Sequence, residues 1–150
     1  MPTARVSRTV PAAPAAVWKV ASDPLTLPWW WPKVVRVEGA SARAFTQVLQ
    51  TERGRQVRAD FRVLEQEQGR RRVWEQQLEG SPFERVLARS VTELRLVPRG
   101  AAETEVTLEL RQRLRGVSRF GGFLVARASR RQLREALEGL ERRVLDGEEG

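Results

Sequence analysis

The sequence predicts an α+β fold in which about 6–7 antiparallel strands form one sheet. Two short helices follow strand 1, and a long C-terminal helix covers the apolar side of the sheet. Three observations carry this reading. From residue 44 to residue 115 apolar and polar side chains alternate with period two, interrupted by short turns that contain Gly or Pro. After Gly116 the pattern becomes helical, and Leu133, Leu137, Leu140 and Val144 form one stripe. Between the first strand and the alternating region lies the stretch from Asp23 to Glu38, which holds three of the five tryptophans and three of the eight prolines.

The first strand spans residues 4–10 and ends at Pro11. Pro14 opens a short helix over 14–22, with Val17, Trp18 and Ala21 on one face. Asp23 followed by Pro24 is a helix start: the carboxylate caps free N–H groups and proline tolerates the first position. Pro28 and Pro32 forbid a long helix, so a short helix or turn throws the indoles of Trp29, Trp30 and Trp31 onto a neighbouring surface. Three adjacent tryptophans do not all point inward. They either plug one end of a core or gate a cavity.

A strand over 34–42 follows, then one over 44–52 and a turn at Arg53-Gly54-Arg55. In the strand over 56–66, Val57, Ala59, Phe61 and Val63 face one way and Arg58, Asp60 and Arg62 the other. The strand over 70–79 puts Arg72, Trp74, Gln76 and Leu78 on one face. Gly80-Ser81-Pro82 breaks it, and strands over 85–97 and 103–115 complete an antiparallel meander with one apolar face.

The final helix runs to about residue 145, and its roughly 28 residues span roughly 40 Å. Arg131 with Glu135, Arg134 with Glu138, and Glu138 with Arg142 are i, i+4 pairs on its solvated face. Gly121-Gly122 is where a bend or a delayed start is expected. Ahead of Leu133 the inward stripe changes to Ser129, Ala126 and Gly122. Against a concave sheet such small residues leave space, and they suit close helix-on-sheet packing equally well.

At 150 residues the chain is predicted to be one domain, 1–150, with a real core. No apolar run approaches the ~20 residues of a membrane span. The start, Met1 to Arg5, has no apolar leader core, so a cytoplasmic protein is expected. The net charge is +8, from 27 basic and 19 acidic residues spread along the chain. This permits nucleic-acid binding without indicating it. The densest points, Arg70-Arg71-Arg72 and Arg130-Arg131, sit where a solvated strand end and helix face belong. There is no histidine, tyrosine or cysteine. That excludes Ser-His-Asp and Cys-His arrangements and metal sites built on His or Cys. Any catalysis rests on Asp, Glu, Arg, Ser, Thr or bound water.

The order of elements resembles the helix-grip fold of the START-like superfamily, which includes the birch-pollen allergen and a polyketide cyclase/dehydrase branch. The local marks are Val10-Pro11-Ala12-Ala13-Pro14-Ala15-Ala16-Val17-Trp18, then Ser22-Asp23-Pro24, then Trp30 or Trp31 with Pro32, then Val34-Val35-Arg36-Val37-Glu38. These look like that branch's opening. The resemblance implies a curved antiparallel sheet wrapped around the long C-terminal helix, with a cavity between them. Members bind lipids, sterols, quinones and aromatic polyketides, and some catalyse cyclisation and dehydration. Related coenzyme-Q-binding proteins act as lipid chaperones, and a related bacterial group has been linked to ribosome association.

On the inward face the alternation places Phe61, Val63, Trp74, Leu78, Val86, Leu94, Leu96, Val106, Leu108 and Leu110. Most of these are core on any reading. The polar residues on the same face are Arg72, Gln76, Ser90, Thr92 and Gln112. Each needs a neighbour, a water or a ligand as partner. Ser90 and Thr92 also read as ordinary strand residues, Gln76 as locally bonded, and Arg72 as close enough to a strand end to reach water. The expected ligand lining is Trp30, Phe61, Arg72, Trp74, Gln76, Ser90, Thr92 and Leu108, with Phe123 and Ala126 from the helix. Asp60, Glu75, Glu93, Glu105 and Glu109 read as outward, which leaves no inward base and leans away from catalysis. The expected function is binding or transport of a hydrophobic small molecule, without cofactor or metal. The alternatives are a polyketide cyclase/dehydratase and an RNA, ribosome or anionic-membrane module that uses the basic surface.

Overall fold

The computed structural model describes residues 3–116 and 119–149. Seven strands form one antiparallel sheet: β1 (Thr3–Val10), β2 (Val34–Glu38), β3 (Ala44–Gln50), β4 (Gln56–Glu67), β5 (Arg71–Gln77), β6 (Leu87–Pro98) and β7 (Thr104–Leu114). Their spatial order is β1-β7-β6-β5-β4-β3-β2. Strands β2 to β7 are a meander, and β1 and β2 are the two edges. The chain crosses from one edge to the other through α1 (Pro14–Ala21), a 3-10 turn (Pro24–Thr26) and α2 (Leu27–Trp30). That crossing closes one end of the apolar face. The helix α3 (Arg119–Glu149) lies across it.

Local chemistry accounts for the crossing. Asp23 caps the 3-10 turn, its Oδ1 accepting from the Leu25 N–H at 3.0 Å. Thr26 Oγ1 donates to the Val20 carbonyl at 2.7 Å and accepts from Trp30 Nε1 at 3.0 Å. The three tryptophans divide as the sequence requires. Trp30 and Trp31 are buried, whereas Trp29 is 59% exposed with the Arg143 guanidinium 4.3 Å from its ring centroid.

Four features differ from the sequence expectation. The second strand stops at Glu38, because Gly39 takes a left-handed turn at φ 58°. Pro82–Arg85 forms a 3-10 turn, so the sixth strand starts at Leu87. Val86, expected inward, therefore caps that turn and is exposed. The long helix runs through Gly121-Gly122 without a delayed start, and its 31 residues span roughly 46 Å. Of the three expected ion pairs on its outer face, only Arg131–Glu135 forms among the described residues, at 3.6 Å.

The C-terminal half of α3 holds the core. Leu133, Leu137, Leu140 and Val144 are essentially inaccessible. The packing partners of α3 are β1, α1, α2 and β7. At Gly139 the helix meets the backbone of α2: a Cβ there would lie 2.7 Å from the Trp30 carbonyl oxygen and 3.0 Å from its Cα. No side chain fits.

On the outer, convex face Glu93 is only 2% exposed. It lies opposite Val73 on β5 and Glu109 on β7. Arg71 Nη2 approaches it at 3.0 Å, Arg95 donates to it, and Arg111 lies 3.7 Å away. Burial opposes its ionisation, but the hydrogen bonds from Arg71 and Arg95 outweigh that and hold the carboxyl below its ordinary value. The neighbouring outer-face Val73 and Val91 are buried as well.

These contacts make two expectations measurable. Gly139→Ala overpacks the α2–α3 contact and destabilises the fold by about 1–3 kcal/mol in urea unfolding, less the ~1 kcal/mol that alanine returns in helix propensity. Gly147→Ala, in open space on the same helix, is neutral or stabilising. The second concerns acid. Because the folded Glu93 carboxyl titrates below its ordinary value near 4.5, its contribution is complete above that pH and is lost as pH falls through the folded value. Glu93→Gln therefore lowers Tm at neutral pH and flattens the fall of Tm on acidification.

Candidate ligand cavity on the concave face

Period two puts Arg72, Trp74 and Gln76 in a row along the concave face of β5. Their neighbours complete an aromatic wall. Phe45 on β3 stacks on Phe61 of β4 at 5.2 Å and 10°. Trp31, at the end of α2, meets Trp74 edge to face at 6.4 Å. The helix α3 packs on β1, β7, α1 and α2, away from this part of the sheet. Phe45 and Trp74 are buried among their neighbours, but Leu49, Phe61, Val63 and Gln76 stay half-buried.

The two ends of this face differ. At the end where β3 and β7 finish, a cleft of about 1170 Å³ opens between Pro32, Lys33 and Glu52 on one side and the N-terminal half of α3 on the other. Phe123 and Leu124 line it, and both are about three-fifths exposed. Arg127, Arg130, Arg131 and Arg134 line it too. Arg72 sits four residues before Gln76, about 13 Å further along β5 towards the closed end.

Arg72 overturns the expectation that it reaches water. It is 5% exposed. Its guanidinium lies 5.9 Å from the Phe45 ring and 6.0 Å from the Trp74 ring. Nη1 donates to Gln66 Oε1, which the bulge between Val63 and Glu65 brings opposite Arg72. Nη2 has no partner. Burial pulls the group below the ordinary arginine pKa, with the field of Asp23 acting the other way. Gln76 Nε2 is likewise buried without a partner. Gln112 Nε2 donates to Ser90 Oγ at 3.4 Å, and Thr92 is buried opposite Trp74.

The other expected lining residues are placed as follows. Leu108 is fully buried in the core. The Trp30 backbone meets α3 at Gly139, and its indole packs edge to face on Trp31 with 5.5 Å between ring centroids. Phe123 lines the cleft, whereas Ala126 is half-buried outside its lining. Sequence reasoning missed Phe45 and Trp31. The alternation over 44–52 carried the signal for Phe45. For Trp31 there was none, since three consecutive indoles around a one-turn helix leave their directions open.

Chemically the face is an aromatic wall with one buried cation, the buried amide of Gln47 and the buried amide donor of Gln76. No Asp or Glu occupies a concave position of the central strands β3 to β6; the buried Glu93 is on the outer face and bound by arginines. Among the described residues there is no acidic, His or Cys cluster able to hold a metal, and no helix long and apolar enough to cross a membrane.

Several solved structures share this architecture. A START superfamily protein from Mycobacterium smegmatis superposes with a TM-score of 0.80 at 15% identity, covering 97% of this chain and 99% of that one. A protein from Thermus thermophilus gives 0.75 at 26% identity, with 97% and 99% covered. The di-domain ARO/CYC BexL from the BE-7585A biosynthetic pathway gives 0.78 at 21% identity, over 95% of this chain and 46% of BexL. No curated protein sequence matches. The helix-grip fold expected from the order of elements is the fold observed. Residues 1–145 match the sequence model of one family, so the chain belongs to the polyketide cyclase / dehydrase and lipid transport family.

Proposed function

We propose that this protein binds and carries a hydrophobic or amphipathic small molecule between the concave face of its sheet and α3. One observation carries the reading: Phe61, Val63 and Leu49 of the concave face stay half-buried against the core, and the N-terminal half of the long helix borders a separate open cleft. Apolar surface withheld from the core is a standing cost of about 25 cal/mol per Å², and a ligand that covers it recovers that amount. The family description names lipid transport beside cyclisation and dehydration, which fits a carrier. Cyclisation needs a group that removes a proton next to a carbonyl, and the central concave face offers amides, hydroxyls and a guanidinium, none of which is a competent base.

The test is native mass spectrometry of the purified chain with organic extraction of bound material. An apolar or amphipathic molecule is expected to co-purify. Trp74→Ala is expected to weaken its binding by about tenfold, in line with the loss of one aromatic contact, and Trp74→Phe by much less. A clean apo mass, together with no binding of the neutral dye Nile red, overturns the reading.

A further inference from the structure

Arg71 and Arg72 are consecutive and have opposite surroundings. Arg71 points outward and is bound by Glu65 and Glu93. Arg72 points inward and is the only buried arginine among the described residues. No carboxylate pairs with it there; its one hydrogen bond goes to the neutral amide of Gln66. Only the field of Asp23, which makes no ion pair with it, offsets the burial of this charge, and a guanidinium stays protonated instead of escaping that cost. The Phe45 and Trp74 rings, each about 6 Å away, hold the group in place by cation–π attraction. They do not satisfy the free Nη2. The guanidinium fork matches two acceptor oxygens on one group, as in a carboxylate or a phosphate.

We propose that Arg72 anchors an acidic group, a carboxylate or a phosphate monoester, at the closed end of the cavity, so that the ligand is an amphipathic anion. This rests on the carrier reading and narrows it. The apolar body of the ligand lies along Trp74 and Phe61 towards the cleft, over the about 13 Å that separate Arg72 from Gln76. Gln76 Nε2, a second concave-face donor buried without a partner among the described residues, sits at the outer end of that path.

The experiment compares three probes on the delipidated full chain: dodecanoate, dodecyl phosphate and dodecanol, each below its micelle concentration. Binding is read from tryptophan fluorescence, to which Trp31 and Trp74 contribute at the wall. At least one anionic probe is expected to bind at least about tenfold more tightly than dodecanol, and the preferred anion identifies the acid class. Arg72→Gln is expected to remove that preference and to leave dodecanol binding within about twofold. Arg72→Lys keeps part of it, because the charge remains and the fork is lost. Arg72→Met, which keeps the volume, repeats the Gln result if Arg72→Gln fails to fold by circular dichroism. Equal binding of dodecanol and both anions by the unmodified chain overturns the anchor and leaves the carrier reading standing, as does a preference that survives Arg72→Gln. No binding of any of the three probes overturns the carrier reading and the anchor with it.

Discussion

The long helix reaches the crossing between the sheet's edges because position 139 has no side chain. Gly139 lets the Trp30 carbonyl approach to a distance that no Cβ tolerates. Everything at the closed end depends on that approach. It seats α2, and α2 directs Trp31 towards Trp74. It also fixes where the Leu133–Val144 stripe meets β1, so the C-terminal half of α3 is committed to the core. The N-terminal half, which begins about 30 Å from that clamp, has no such commitment and borders the cleft. One half of the helix is packed into the core and the other borders a cleft.

Charge is sorted by the same period-two geometry. One residue of displacement along β5 separates an arginine in a carboxylate network from an arginine between two aromatic rings. The outer network explains how a sheet with so many charges keeps its convex face closed. Glu93 has three arginines around it, and Val73 and Val91 on the same face are buried. The concave face has no equivalent. Its polar groups are few, and Arg72 Nη2 and Gln76 Nε2 are buried there without partners.

Most of the fold is legible in the sequence, for physical reasons that also mark where legibility ends. The leucine stripe and the alternation over 44–115 are averages over many residues, so single exceptions do not erase them. The order of the elements, read from these patterns, carries the resemblance. What escapes is local. Val86 reads as part of a strand because the predicted strand starts at Arg85, where the backbone is in fact still turning. Trp30 and Trp31 are not told apart, because a one-turn helix has no periodicity to read. Gly139 gives no signal because a glycine inside a leucine-rich helix looks like a weak point until the partner backbone is placed against it. Glu93 reads correctly as outward, but its burial depends on three arginines from β5, β6 and β7, a cross-strand fact.

Arg72 shows most sharply what alternation determines and what it leaves open. Its inward direction follows from Trp74 and Gln76 two and four residues away. Its burial does not, because strand ends usually meet water. Its surroundings are the Phe45 and Trp74 rings, the field of Asp23 from the crossing, and Gln66, which the bulge in β4 brings opposite. A protein optimised for stability alone replaces such a group with a hydrocarbon of the same volume, which is neutral or favourable at many buried sites. A guanidinium retained there, held between two rings and short of an acceptor, lowers the stability of the empty protein. On the proposed anchoring, a bound anion would offset that cost, which would link occupancy of the site to stability of the fold.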